Sequence, residues 1–136
     1  MSMDKPMSIF DITGRAMSAQ LVRLNATASN MANAGNVTAT EGEAYRAIRP
    51  VFRSVTEKPG VSTVKVENIV TTDAQPIKRH DPGHPLADKD GFVWESAVDS
   101  STELVDMIET ARQYQNNVQV LETSKKLLLE TVRMGK

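Results

Sequence analysis

The chain has 136 residues, 40% of them hydrophobic but only 4% aromatic, with a formal net charge of −1 and no cysteine. Such a length allows one domain of ordinary size, and the scarcity of aromatic side chains predicts a thin core. The near-neutral charge excludes an electrostatic footprint for nucleic acid or an anionic membrane, and the missing cysteines exclude disulfides and thiol-held metal.

No stretch reaches the length of a membrane span, and the opening MSMDKPMSIFD lacks the basic start and continuous apolar run of a cleavable signal peptide. A first helix is expected from about Ile9 to about Asn33. Ser8 and Asp11 have the spacing of a capping box, and Met7 with Ile12 that of a hydrophobic staple. Along it Phe10, Gly14, Met17, Leu21, Leu24, Ala28 and Met31 follow at alternating steps of four and three, a heptad seam that wants a helical partner.

The other faces of this helix are unusual. From Ile12 to Thr40 the only charges are Arg15 and Arg23, whereas a free-standing amphipathic helix carries charge on its solvent side. Ala16, Ala19, Ala26, Asn30, Asn33 and Ala34 fall outside the seam. Small residues there admit a close neighbour, and the Asn amides can satisfy one another or nearby backbone. The helix is therefore expected to be covered on more than one side, by a second helix on the seam and by other subunits on the back.

Asn36 to Gly42 reads as a connection, and from there to residue 98 the pattern turns to short strands and turns. β-Branched residues alternate in VSTVKVENIV, Lys58 to Gly60 and Asp81 to Gly91 carry turn residues, and GFVW reads as a strand in which Trp94 is a core residue or a subunit contact. A second long helix is expected from about Ser101 to about Arg133, opened by a capping box of Ser100 and Glu103. Its seam is Leu104, Met107, Ala111, Tyr114, Val118, Leu121, Leu128 and Val132, interrupted at Lys125. Glu103, Asp106 and Glu109 near its start and Lys125, Lys126, Arg133 and Lys136 near its end complement the helix dipole.

The fold class that follows is α+β. Terminal helices, residues 1–36 and 99–136, pair as a coiled-coil-like assembly domain around a middle β-rich region with its linker, residues 37–98. His80, Asp81, His84, Asp88 and Asp90 cluster closely enough to suggest a divalent metal, but Pro82, Gly83 and Pro85 make the segment a turn. Asp88, Asp90 and Gly91 read as a turn before the next strand. No nucleophile triad, phosphate loop or paired-carboxylate site is visible, so neither catalysis nor a cofactor nor a small-molecule substrate is expected.

The segment SIFDITGRAMSAQLVRLNATASNMANAGNVT, with Ala28-Ser29-Asn30-Met31-Ala32-Asn33 at its centre, resembles the N-terminal signature of flagellar rod and hook proteins. DPGHPLADKDGFV and ARQYQNNVQVLETSKKLLLETVRMG are similar to proximal-rod subunits of that family. The resemblance implies a structural subunit whose terminal helices pair in the assembled rod, exported by the flagellar type III apparatus without a cleaved signal peptide. Its implied partners are copies of itself, proximal-rod paralogues, the distal-rod protein, the rod-base adaptor, the membrane ring protein and the export apparatus. The assembly residues expected on this reading are the two seams together with Asn30 and Asn33. A cytoplasmic adaptor or chaperone of a secretion system, built on a two-helix hairpin, is the alternative.

Overall fold

The computed structural model describes residues 7–135, so Lys136 and the first six residues of the expected terminal domain lie outside the described residues. The first helix, α1 (Ile9–Ala32), opens as its sequence predicts. The Ser8 hydroxyl accepts from the Asp11 amide at 3.2 Å, and the Asp11 carboxylate accepts from the Ser8 amide at 2.9 Å. This reciprocal pair satisfies two of the amides that a helix N-terminus leaves unbonded. Asn33 closes the helix, its amide group donating to the Ser29 carbonyl at 2.8 Å.

A short strand β1 (Val37–Thr38) and a single 3-10 turn (Glu41–Glu43) lead into a long antiparallel hairpin, β2 (Ile48–Lys58) and β3 (Val61–Thr71). Its turn has Pro59 followed by Gly60 at φ 80°, the arrangement of a type II turn. Short strands were expected here, whereas each is 11 residues long. Pro50 and the charged residues of IRPVFRSVTEK mask the alternation; a proline is tolerated because β2 pairs only with β3 and is an edge. A second, three-stranded sheet has the order β1-β5-β4, with β5 (Phe92–Glu95) between β1 and β4 (Ile77–His80). The chain ends in α2 (Ser100–Met134), so the architecture is α+β with terminal helices and a middle β region.

The start of α2 differs from expectation. Asp99, not Ser100, is the N-cap, its carboxylate accepting from the Ser101 amide at 3.0 Å and from the Thr102 hydroxyl at 2.9 Å. Those bonds, that of the Thr102 hydroxyl first, hold the Asp99 carboxyl below its usual range. A carboxylate one residue upstream out-competes the Ser100 hydroxyl because it accepts two bonds and carries charge toward the helix dipole. Glu103 is thereby freed from capping and turns inward.

The core is thin. Among the described residues the buried apolar ones are Ala19, Ala26, Ala44, Ala47 and Val93, while Leu21, Leu104, Val105, Ile108 and Leu127 to Leu129 stand exposed. The back of α1 is covered within the chain. Arg15, Ser18, Ala19 and Val22 face Val55, Val64 and Val66 of the hairpin across a shallow cleft, and Arg15 pairs with Glu57 at 2.7 Å. This replaces the expected cover by other subunits: the alanines on this side let a sheet, rather than a helix, approach closely.

Candidate assembly interface

The two helices run antiparallel along a polar line. Gln20 Nε2 donates to Gln113 Oε1 at 2.8 Å, the Thr27 hydroxyl donates to Asp106 Oδ2 at 3.0 Å, and Asn30 Nδ2 donates to Glu103 Oε2 at 3.2 Å. Arg23 pairs with Asp106, and Arg49 of β2 pairs with Glu103. Thr13, Thr27, Asn30, Glu103 and Thr110 are buried on this line, the Thr110 hydroxyl donating back to the Asp106 carbonyl at 2.6 Å. Burial works to raise the Asp106 carboxyl, but hydrogen bonds from Arg23 and Thr27 and the charges of Arg23 and Arg49 prevail and hold it low. The bonds that the Arg49 guanidinium donates to the Glu103 carboxylate are the largest influence on it and raise it further.

Sequence reading missed these residues as a group. The signal was present in the intervals of seven that separate Thr13, Gln20 and Thr27, and Glu103 and Thr110, but a polar heptad line is invisible to a search for apolar periodicity. The expected seam is displaced from it by one residue throughout: Gly14, Met17, Leu21, Leu24, Ala28 and Met31 follow Thr13, Ala16, Gln20, Arg23, Thr27 and Asn30. In α2, Leu104, Met107, Ala111 and Tyr114 likewise follow Glu103, Asp106, Thr110 and Gln113. One residue is a rotation of about 100°. In antiparallel helices that rotation turns both seams to the same side of the pair, away from the hairpin.

The result is one apolar face spread over two helices. Leu21 is 44% and Leu104 47% exposed, and Ala28 is exposed as well. Phe10, Met17, Leu24, Met31, Met107, Ala111, Tyr114, Val118 and Leu121 are half-buried at the edges of the pairing line. Extending the antiparallel register places Ile9 opposite Ser124, so the ten residues Lys125–Met134 project beyond α1. Leu128 (52% exposed) and Val132 (54%) prolong the apolar line there.

The six residues Ala28 to Asn33 divide by direction. Ser29 and Asn30 point inward, Ser29 to the Tyr45 hydroxyl at 3.0 Å and Asn30 to both polar atoms of the Ile48 peptide. Asn33 secures the connection that follows, its Oδ1 accepting from Asn36 and its carbonyl from the Ser96 hydroxyl at 2.7 Å. Ala28 and Met31 belong to the outward line. Of the expected assembly residues, Asn30 is therefore enclosed within the chain and Asn33 is engaged at the helix end.

The DPGHP segment closes the β4–β5 hairpin. The Asp88 carboxylate accepts from the Asp90 and Phe92 amides at 2.9 Å each, and the Asp81 amide donates to the Gly91 carbonyl at 2.8 Å. The Phe92 amide bond is the main reason that the Asp88 carboxyl is lowered. His84 Nδ1 accepts from the Leu86 amide at 3.0 Å, and His80 packs edge-on against Phe92. These groups form the expected turn. Trp94, half-buried, pairs with Thr38 on one side and Lys78 on the other, with the Lys78 ammonium 5.9 Å from its ring.

Comparison with known proteins places this geometry. Residues 89–134, the last strand and the whole of α2, match the family described as flagellar basal body rod FlgEFG protein C-terminal. Over nearly the whole length, the chain is 47% identical to the flagellar basal-body rod protein FlgC of Yersinia enterocolitica, across 131 residues that cover 95% of this chain and 97% of the relative. It is 44% identical to FlgC of Escherichia coli O157:H7 over the same shares, and 36% identical to FlgC of Buchnera aphidicola subsp. Schizaphis graminum over 133 residues, 95% of this chain and 97% of that one. These matches define the class of the chain, that of flagellar basal-body rod proteins. The chain belongs to the FlgC family of flagellar basal-body rod proteins.

Proposed function

We propose that this chain, by its family a structural subunit of the flagellar basal-body rod, polymerises through the apolar face that its two helices present on one side. The observation that carries the reading is the one-residue offset: polar side chains satisfy one another inside the pair, and the heptad lines are left for neighbours. Burying one Leu or Met contributes about 1.5 to 3 kcal/mol. Most positions of the face are already half-buried, so each adds about half of that, and some ten of them together are comparable with the cost of association, about 4 to 15 kcal/mol. Coiled-coil-like packing then forms between subunits, with Leu128 and Val132 reaching past the chain's own α1.

On this reading the terminal segments, 1–36 and 99–136, build the rod interior and residues 37–98 form the outer, β-rich part. The neighbours are copies of this chain, proximal-rod paralogues, the distal-rod protein, the rod-base adaptor and the membrane ring protein. The subunit is made in the cytoplasm, leaves through the flagellar type III apparatus without a cleaved signal peptide, and transmits torque within the periplasm-spanning rod. Among the described residues no helix is long and apolar enough to cross a membrane, as such a route requires. The role is structural, with no enzymatic step, cofactor, nucleic acid or small-molecule substrate. A two-helix adaptor or chaperone has no support in the family to which the chain belongs.

Leu21→Asp and Leu104→Asp test the face. Both side chains are exposed, so the purified variants are expected to keep their helix content and to be exported, while rods fail to assemble and cells do not swim. Normal rods with either variant would overturn the proposal.

A further inference from the structure

We infer that Glu103 is a positioning residue: through it, pairing of the terminal helices is coupled to the seating of the β2–β3 hairpin. The inference rests on the reading of the chain as an assembly subunit and specifies how the outer part of that subunit is oriented.

Glu103 lies in the first turn of α2, where a carboxylate serving only the helix dipole stands in solvent, yet its side chain is 2% exposed. Two other elements share it. The Arg49 guanidinium of β2 engages both carboxylate oxygens, and Asn30 of α1 donates to Oε2. Asn30, itself fully buried, has every bond of its amide in use. Its Oδ1 accepts from the Ile48 amide at 2.9 Å and the Tyr45 hydroxyl at 2.8 Å, and its Nδ2 donates to the Ile48 carbonyl at 3.0 Å as well as to Glu103. The backbone N–H and C=O of Ile48, the first residue of β2, are bracketed as if by a neighbouring strand.

Coupling follows from the cost of a buried charge. A carboxylate enclosed without its partner is strongly unfavourable, because it has given up water and gained nothing in exchange. With α1, α2 and β2 together Glu103 is enclosed, and β2 supplies Arg49 as its ion-pair partner. Arg49 keeps 38% of its side chain in solvent and has water as an alternative. Closing of the helix pair and seating of the hairpin therefore favour each other. At the far end the hairpin is tied to α1 by Arg15, whose pair with Glu57 is largely exposed and worth little. The base of the hairpin is thus tied to the helix pair through Glu103, in addition to the contact of its strands with α1.

The test is residue-resolved amide exchange on the purified full-length chain, comparing wild type with Glu103→Gln, Arg49→Met, the double variant and Asn30→Ala. The Ile48 amide and the β2–β3 ladder are expected to exchange roughly ten- to a hundredfold faster in each single variant. The double variant is expected to be no faster than either single one, because both act through the same pair. The Asp81, Asp88 and Gly91 amides, held within the β4–β5 turn, serve as the control that the chain is folded. Should Glu103→Gln unfold the whole chain, Arg49→Lys, which keeps the charge and loses the fork, reads the same amides. Unchanged β2–β3 exchange, acceleration confined to α2, or additive effects overturn the inference. Rod assembly by the Leu21→Asp variant is read separately, so failure here leaves the assembly face to its own test.

Discussion

Gln20 donates from Nε2 to Oε1 of Gln113 at 2.8 Å, so two carboxamides bridge the middle of the helix pair where packed aliphatic side chains are the norm. Gln20 Oε1 is buried without a partner among the described residues. A neutral hydrogen bond contributes about 0.5 to 1.5 kcal/mol, and an orphaned buried acceptor opposes it. Such a seam selects register rather than strength, as a polar residue does at a coiled-coil core position.

Replacing both partners, Gln20→Leu with Gln113→Leu, is therefore expected to raise the thermal midpoint of the isolated chain. Gln113→Leu alone strands the Gln20 amide and is expected to lower stability by about 1 to 3 kcal/mol. Midpoints from circular dichroism decide the matter. A double variant less stable than both single ones would contradict the polar-register account.

Acid should open the helix pair through Asp106. Its carboxyl is held low in the folded chain, where the bonds from Arg23 and Thr27 outweigh burial, whereas an unfolded aspartate titrates at about 3.9. The folded state binds this proton less readily, so the stabilisation is complete above the unfolded value and is lost as pH falls through the lower, folded one. Asp99, lowered by the Thr102 hydroxyl, acts in the same direction. Urea midpoints are expected to be level from neutral pH down to about 5 on this account and to fall below about 4. Asp106→Asn should be less stable at neutral pH and show a flatter acid limb; an unchanged limb would remove Asp106 from the explanation.

Two glycines with similar backbone angles should respond differently to alanine. Gly60 (φ 80°) has open space where a Cβ would stand, whereas at Gly91 (φ 82°) the Cβ meets Pro82 Cγ at 3.1 Å and His80 Nε2 at 3.2 Å. Gly60→Ala is expected to cost about 1 to 2 kcal/mol from backbone strain alone. Gly91→Ala adds contacts against a rigid proline ring and should cost more. Equal losses in denaturant titrations would show that the ring gives way freely.

Alanines on the two sides of α1 make a further contrast. Ala26 is 4% exposed under the hairpin side, and Ala28 belongs to the open apolar face. Ala26→Leu is expected to destabilise by about 1 to 3 kcal/mol through overpacking. Ala28→Leu should leave the isolated chain unchanged and alter only assembly. Thermal midpoints, followed by sedimentation of the soluble fraction, separate these outcomes.

The sequence by itself determined what is local. Both helices stand where apolar periodicity placed them, and the Ser8–Asp11 box, the Pro59–Gly60 turn and the Asp88–Gly91 turn depend on groups a few residues apart. The resemblance of Ala28 to Asn33 and of DPGHP to rod proteins led to the family that the whole-length comparisons establish. Tertiary structure alone decided which line of each helix turns inward. Apolar spacing marks Leu21, Leu24 and Leu104 as surfaces needing cover, but it does not tell cover within the chain from cover by a neighbour. The choice was made by groups distant in sequence, Arg49 and Ile48 against Glu103 and Asn30, whose bonds and charges are satisfied only when the polar line faces in. Asp99 took the cap through its own local bonds, and Glu103, read as a helix-start residue, was left to meet Arg49 of β2.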